Sequence, residues 1–327
     1  MNFAKKTWCS AYVAATLAVC PMLVGAAEAY PSQPIRIVDA YPAGGSTDVL
    51  ARYLGSRISS NWGQPVVVEN RGGASGQIGA NYVAKSKADG YTFLVTPNPD
   101  ILILGPLLYK HLPYVRDDFV PVAIVADVPL VLVVNSQSGI GDVKQLITRA
   151  KSEPQKLTYG SAGQGSTHHL SAELFTKMAE IEMIHVPFRG TAPAVQDLLG
   201  GHVDMVISPI SAVLPHIKAG KLKALAVTGT KRAQALPNIP TLTESSLPGY
   251  ESTLWVSLVA PKGTPEPILK KWNDAVSLEM KSEEARAMLA EQGIESASAS
   301  MAEIRARIDR ETQRWRTLIE SRGIVVE

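Results

Sequence analysis

Beyond the first 29 residues, short β-branched and apolar runs alternate with stretches whose apolar positions recur every three or four residues. Ile35-Arg36-Ile37-Val38, Pro65-Val66-Val67-Val68-Glu69 and Tyr91-Thr92-Phe93-Leu94-Val95 predict three strands. Between the first two, Val49, Leu50, Tyr53, Leu54 and Ile58 line one face of a helix over 48–62. A second helix, over 78–87, precedes the third strand and stops at Gly90. Strand-helix-strand-helix-strand predicts an α/β sheet with parallel neighbours.

The middle of the chain repeats the pattern. Strands are expected at Leu130-Val131-Leu132-Val133-Val134, Leu157-Thr158-Tyr159, Ile184-His185-Val186, Met205-Val206-Ile207 and over 222–228, with helices over 170–178 and 192–199. The C-terminal part is mainly helical: Pro265 suits a first helical position, and Ser300-Met301-Ala302-Glu303 fits a capping box. Trp272, Leu289 and Trp315 are expected as core anchors. Strands over 120–126 and 254–260 bracket the second unit, so the chain is expected to cross twice between lobes. Lobe 1 is then 30–126 plus 255–327, lobe 2 is 127–254, and the two crossings form a hinge.

The N-terminus stands apart from this pattern. Lys5 and Lys6, an apolar stretch from Ala11 to Val24 and the small residues Ala27 and Ala29 around Glu28 read as a secretory signal peptide over 1–29. Cys20 allows a lipoprotein variant, which Val19 fits poorly, so cleavage after Ala29 is expected. Cys9 and Cys20 are the only cysteines, and a chain cut after Ala29 has none. Disulfides, thiol nucleophiles and cysteine-bound metals are thereby excluded from the mature chain. Of 32 basic and 30 acidic residues, cleavage leaves 30 against 29. With no basic block, nucleic acid is not an expected partner.

Three glycine-rich turns lead from strands into helices: Tyr41-Pro42-Ala43-Gly44-Gly45-Ser46-Thr47-Asp48, Arg71-Gly72-Gly73-Ala74-Ser75-Gly76-Gln77 and Gly160-Ser161-Ala162-Gly163-Gln164-Gly165-Ser166-Thr167. A helix N-terminus carries unpaired N–H groups and partial positive charge, and glycines let an anion approach them. Such residues also simply make tight turns. A phosphate loop is excluded because no glycine precedes Lys-Ser or Lys-Thr at the needed spacing, and the dinucleotide pattern is missing from the first turn. A nucleophile elbow is spoiled by Gln77 near Ser75 and by Tyr159 near Ser161. Adjacent His168 and His169 point about 100° apart on a helix and cannot both grip one metal. No metal or cofactor is expected. Arg189, after Val186-Pro187-Phe188, can pair with a carboxylate or stand free in solvent.

These segments together resemble the Bug (TctC-like) family of solute-binding proteins. The likeness runs from Pro34-Ile35-Arg36-Ile37-Val38 and Tyr41 to Asp48, through Val67-Val68-Glu69-Asn70-Arg71-Gly72-Gly73-Ala74-Ser75-Gly76 and Ala88-Asp89-Gly90-Tyr91-Thr92. It continues through Gly160 to Ser166, Leu198-Leu199-Gly200-Gly201-His202-Val203-Asp204 and Ala260-Pro261-Lys262-Gly263-Thr264-Pro265. The resemblance implies a two-lobed type II periplasmic binding fold, α/β in class, that closes on a small carboxylate. It implies a monomer that serves the membrane permease subunits of a tripartite tricarboxylate transporter, or a sensory receptor. A secreted serine hydrolase on Ser75 or Ser161 is the remaining alternative.

Ligand contacts carried over from the family fall on Ala43, Gly44, Ser46, Thr47, Asp48, Ser161, Gly165, Ser166 and Thr167, with Tyr41 in the same loop. Asp48 suits a helix cap as well as a ligand contact. Phe188-Arg189-Gly190 stands where the family commonly has Tyr-Lys-Gly. Thr96-Pro97-Asn98-Pro99-Asp100 and Ser208-Pro209 also depart from the family pattern. Thr96 to Asp100, with Thr96 and Asn98 foremost, and Phe188, Arg189 and Ser208 are therefore expected to choose the ligand.

Overall fold

The structure, a computed structural model, describes residues 30–324 together with Met1. The expected signal segment and its cleavage site lie outside the described residues. Strand β1 (Ile35–Asp39) is followed by α1 (Ser46–Trp62), β2 (Val66–Asn70), α2 (Gln77–Ala84) and β3 (Thr92–Pro97). A π-helical turn, Pro99–Leu104, runs into α3 (Gly105–Leu108) and then β4 (Phe119–Val128). The next unit comprises β5 (Leu130–Asn135), α4 (Val143–Ser152), β6 (Thr158–Ser161), α5 (Thr167–Ala179), β7 (Ile184–Pro187), α6 (Thr191–Leu199), β8 (Met205–Pro209), α7 (Ile210–Lys218) and β9 (Leu222–Val227). After α8 (Leu242–Ser245) come β10 (Leu254–Pro261), α9 (Glu266–Met280), α10 (Glu283–Glu291), β11 (Glu295–Ser296) and α11 (Met301–Arg322).

The strands form two sheets, ordered β11-β4-β10-β3-β1-β2 and β7-β6-β8-β5-β9. β1 is parallel to β2 and β3, and β6 is parallel to β7 and β8, as right-handed strand-helix-strand units require. β10 and β5 instead join their sheets antiparallel. They are reached by segments that pass between sheets rather than by a crossover helix, so nothing forces them parallel. The result is two α/β lobes.

Only Pro129 separates β4 from β5, and residues 228–253 carry the chain back from β9 to β10. The two passages are cross-linked. Thr228 is fully buried and its hydroxyl donates to the carbonyl of Ser252 (2.6 Å), with the Leu130 carbonyl also within reach (3.2 Å). Arg307 of α11 bonds Asp127 on one passage (2.8 Å) and Thr253 on the other (3.2 Å).

Helix ends follow local chemistry. α1 closes on Gly63 in the left-handed region (φ 67°), whose N–H donates to the Ser59 carbonyl. The expected capping box at Ser300 and Glu303 starts α11. Pro265 stands at the N-cap of α9 rather than its first turn. Trp272, Leu289 and Trp315 are fully buried. One apolar cluster spans both sheets, holding Phe93 and Val256 with Leu132 and Phe175. A second packs Leu102, Leu104, Trp255 and Trp315 around Leu170 of α5. A core side chain of this size contributes about 1.5–3 kcal/mol. Among the described residues, no helix is long and apolar enough to cross a membrane.

Candidate functional site

The parallel strands of each sheet present their carboxyl ends to loops, where open α/β sheets bind ligands. In the first sheet these ends are Asp39, Asn70 and Thr96–Pro97; in the second, Ser161, Pro187 and Ser208–Pro209. The register sets Ser161 beside Pro187, with Phe188 next in the chain, and sets Gly160 beside Val206, two positions before Ser208.

The first loop is braced from beneath. Fully buried Asp39 accepts from the Tyr41 N–H (3.1 Å), the Thr47 hydroxyl (3.2 Å) and the Asn70 amide (3.2 Å). The same Asn70 amide reaches the Tyr41 carbonyl (3.1 Å) and Asp48 (2.9 Å). Asp48 accepts from the Gly44 N–H (3.0 Å) and pairs with Arg52 (2.9 Å). Asp48 therefore braces its own helix start. Burial raises the Asp39 pKa to about 7, against the Tyr41 and Thr47 donors and Arg52, with Asp48 adding to it. Burial acts to raise Asp48 as well, but Arg52, the Gly44 amide and Asn70 outweigh it and its pKa is lowered.

What the bracing leaves open is the end of α1. Ala43, Gly44 and Gly45 are exposed and Ser46 is half-buried. The N–H groups of Gly45, Ser46 and Thr47 have no hydrogen bond among the described residues. Gly44 has φ +88°, and a side chain there would meet open space. It is glycine for its backbone conformation, and its open side faces whatever approaches α1.

The second loop is closed by the protein itself. The Gly165 N–H donates to His169 Nδ1 (3.2 Å), and Ser166 caps α5 through the His169 N–H (3.3 Å). The Ser161 hydroxyl is tied to Gly163 (3.1 Å) and to His185 Nε2 (2.7 Å). Thr167 donates both its N–H (3.0 Å) and its hydroxyl to one oxygen of Asp100. The other Asp100 oxygen lies 3.2 Å from the Tyr41 hydroxyl. A carboxylate from the π-helical turn thus already joins the two loops. Burial pushes the Asp100 pKa up, and the Thr167 and Tyr41 donors work against it.

The remaining expected residues divide. Thr96, Asn98 and Ser208 are fully buried at the strand ends. Neither polar atom of the Asn98 side chain has a partner, and the hydroxyls of Thr96 (3.4 Å) and Ser208 (3.3 Å) make only long bonds to adjacent carbonyls. Buried polar atoms are nearly always paired, so the Asn98 amide is available to a molecule entering here. Phe188 is half-buried and packs over Gly160. Arg189 is exposed, with no ion pair among the described residues.

Asp39 and Asn70 are not singled out by the sequence motifs, and the histidines enter them only as rejected metal ligands or bases. His169 and His185 stack at 4.0 Å between ring centroids, with Tyr159 stacked beyond His185 at 4.9 Å. Burial pushes His168, His169 and His185 down to about 4. The amide that His169 accepts demands a neutral ring in any case. Ser161 and His185 are a contact that no spacing rule announced. The hydroxyl is fully buried and held by the loop, so the pair locks the loop and does not present a nucleophile. A cavity of about 570 Å³ lies elsewhere, beside the passages between the sheets, lined by Asp127, Lys231, Glu251, Arg307 and Arg314 among others.

Comparison with known proteins places this geometry in context. The sequence profile of the tripartite tricarboxylate transporter family receptor matches residues 50–324. Protein BugT of Bordetella pertussis is 39% identical over 298 residues, covering 91% of each chain. Rpa4515 of R. palustris, solved with adipate, superposes with a TM-score of 0.84 at 37% identity, covering 90% of this chain and 99% of that one. MatC (Rpa3494) from Rhodopseudomonas palustris, solved with bound malate, gives 0.79 at 31% identity, covering 89% and 100%.

Proposed function

Because this chain belongs to the tripartite tricarboxylate transporter receptor family, we propose that it captures a small organic carboxylate between its lobes in the periplasm and delivers it to a membrane permease. The observation that carries this reading is the open N-terminus of α1. Three unpaired N–H groups and the Ser46 hydroxyl face a glycine-bared approach, and the Asp39-Asn70-Asp48 network holds them in place. Donors held in position before the ligand arrives lose little entropy on binding. A carboxylate here meets both the helix dipole and charge-assisted hydrogen bonds.

Ser46 and Thr47 hold the acid, while Asn98, Thr96, Ser208 and Phe188 surround its remainder. Lobes of 30–126 with 255–327 and of 127–254 close over it, turning on Pro129 and the 228–253 passage. The protein works as a monomer and without a cofactor.

Thermal melting across a panel of organic acids tests this. A ligand bound only by the folded state, present at 100 times its Kd, stabilises by about 2.7 kcal/mol. One class of acids should raise the melting temperature by several degrees. A flat response to aliphatic, hydroxylated and aromatic acids alike would sink the proposal.

A further inference from the structure

We infer that the cavity beside the two passages is a second ligand site, built for a small multivalent oxyanion and separate from the α1 donors. It measures about 570 Å³, a size usual for small-molecule sites. Its walls come from both passages and from α11, and no residue of the two glycine-rich loops lines it. The inference stands whether or not those loops take an acid.

Five cationic side chains and four carboxylates line the cavity. Arg307, Arg310 and Arg314, spaced three and four apart, share one face of α11. Arg307 is held by Asp127 (2.8 Å) and Glu311 (3.0 Å), and Arg232 by Glu244 (2.9 Å). Arg314 binds Glu251 through Nη1 (2.8 Å), while its Nε and Nη2 are buried and have no partner among the described residues. Those two nitrogens form the edge of a guanidinium that grips two oxygens of a phosphate or carboxylate at once. Leaving such buried donors unpaired is unfavourable, and an oxyanion on that edge relieves it.

Lys231 and Arg310 are exposed and make no ion pair among the described residues. An anion with two charges and several oxygens can answer both of them as well as the Arg314 edge. It would join the passage after β9 to α11, beside the Arg307 contacts that already tie α11 to the chain. The four carboxylates work against any anion. Asp127, Glu251 and Glu311 are each paired with an arginine, and Glu295 accepts the Gln234 N–H (3.2 Å). Their repulsion keeps the affinity modest, with a Kd of about 1 mM.

Calorimetric titration with inorganic phosphate, at a pH where it is mainly a dianion and at constant ionic strength, tests the site, with chloride as the monovalent control. The wild type should take up one phosphate per chain and show no matching response to chloride. Lys231→Gln combined with Arg310→Gln changes two exposed positions and should weaken phosphate binding at least about tenfold. Arg314→Lys keeps the charge, loses the two-pronged edge and should also weaken it, with melting in the absence of phosphate to confirm the fold. Gly44→Leu, which covers the α1 donors, should bind phosphate as the wild type does. No uptake by the wild type overturns the inference, and so does binding that survives in every variant, the mark of non-specific ion association. Binding lost in Gly44→Leu and kept in the Lys231→Gln, Arg310→Gln protein places the anion on α1, which overturns this inference and leaves the receptor reading intact.

Discussion

Gly44 is the residue on which the proposed site most directly depends. Its φ of +88° suits glycine, and its missing side chain faces open space. Gly44→Leu should thus cost only the backbone strain, about 1–2 kcal/mol, while its side chain covers the α1 donors. The expected outcome is a folded protein, melting a few degrees lower, that no longer responds to the acid. Unchanged affinity in titration would move the site elsewhere.

The buried titrating groups make a second prediction. His168, His169 and His185 fold with pKa values near 4 against an ordinary 6.5. Between pH 6.5 and 4 the unfolded chain takes up protons that the folded chain refuses, so stability falls as the pH drops through that window. For a nearly buried ring the loss reaches up to about 3 kcal/mol below pH 4. Asp39 opposes this, because its pKa of about 7 exceeds the ordinary 3.8. From pH 4 to 7 the folded state keeps a proton that the unfolded state has lost, so this group lowers stability as the pH rises. Asp100, whose pKa burial also raises, acts with Asp39, while Asp48, whose pKa is lowered, acts with the three rings, and the balance is a net loss on acidification. Urea midpoints should be lower at pH 4.5 than at pH 7, and Asp39→Asn should steepen the fall. A midpoint that rises on acidification would contradict this account of the histidines.

At the scale of elements, α5 and α11 decide how the lobes are joined. α5 begins on Asp100, and its Leu170 packs with Trp255 and Trp315 in a cluster otherwise built from the first lobe. α11 ties the two passages between sheets through Arg307, which also lies over the Trp255 ring (4.4 Å) and bonds the buried Glu311 (3.0 Å). Arg307→Met should cost roughly 2–4 kcal/mol, because Glu311 would be left buried with only the Trp255 indole N–H. Urea denaturation measures it, and a loss under about 0.5 kcal/mol would show that the clamp is idle.

Much at this scale was legible in the chain. Periodicity located β1 to β3, α1 and the strands of the second sheet, since β-branched runs and apolar faces are local signals. The glycine-rich turns were visible too, but their occupancy was not. That Asp48 turns back to Gly44 is local, although it is not the N-cap expected of it, because Gly45 holds that position without a side-chain bond. That Asp100 crosses to Thr167, 67 positions away, depends on how two lobes pack, and no periodicity encodes it. The π-helical turn at Pro99–Leu104 was missed because its run of Ile and Leu carries no three-to-four repeat. His169 and His185 meet only because β7 lies beside β6.

For the whole molecule, the proposed function requires the two sheets to close on one another about Pro129 and 228–253. Ligand should compact the protein, seen as a smaller radius of gyration in solution scattering. The 570 Å³ cavity beside the passages should change shape as Arg307 follows them.

The central claim is that a carboxylate sits on the amides of α1. Native mass spectrometry of the gently isolated protein tests it most directly. One organic acid per chain should travel with the wild-type protein, and Gly44→Leu should carry none. A bound molecule without an acid group, or an acid retained by the Gly44→Leu variant, would contradict the account.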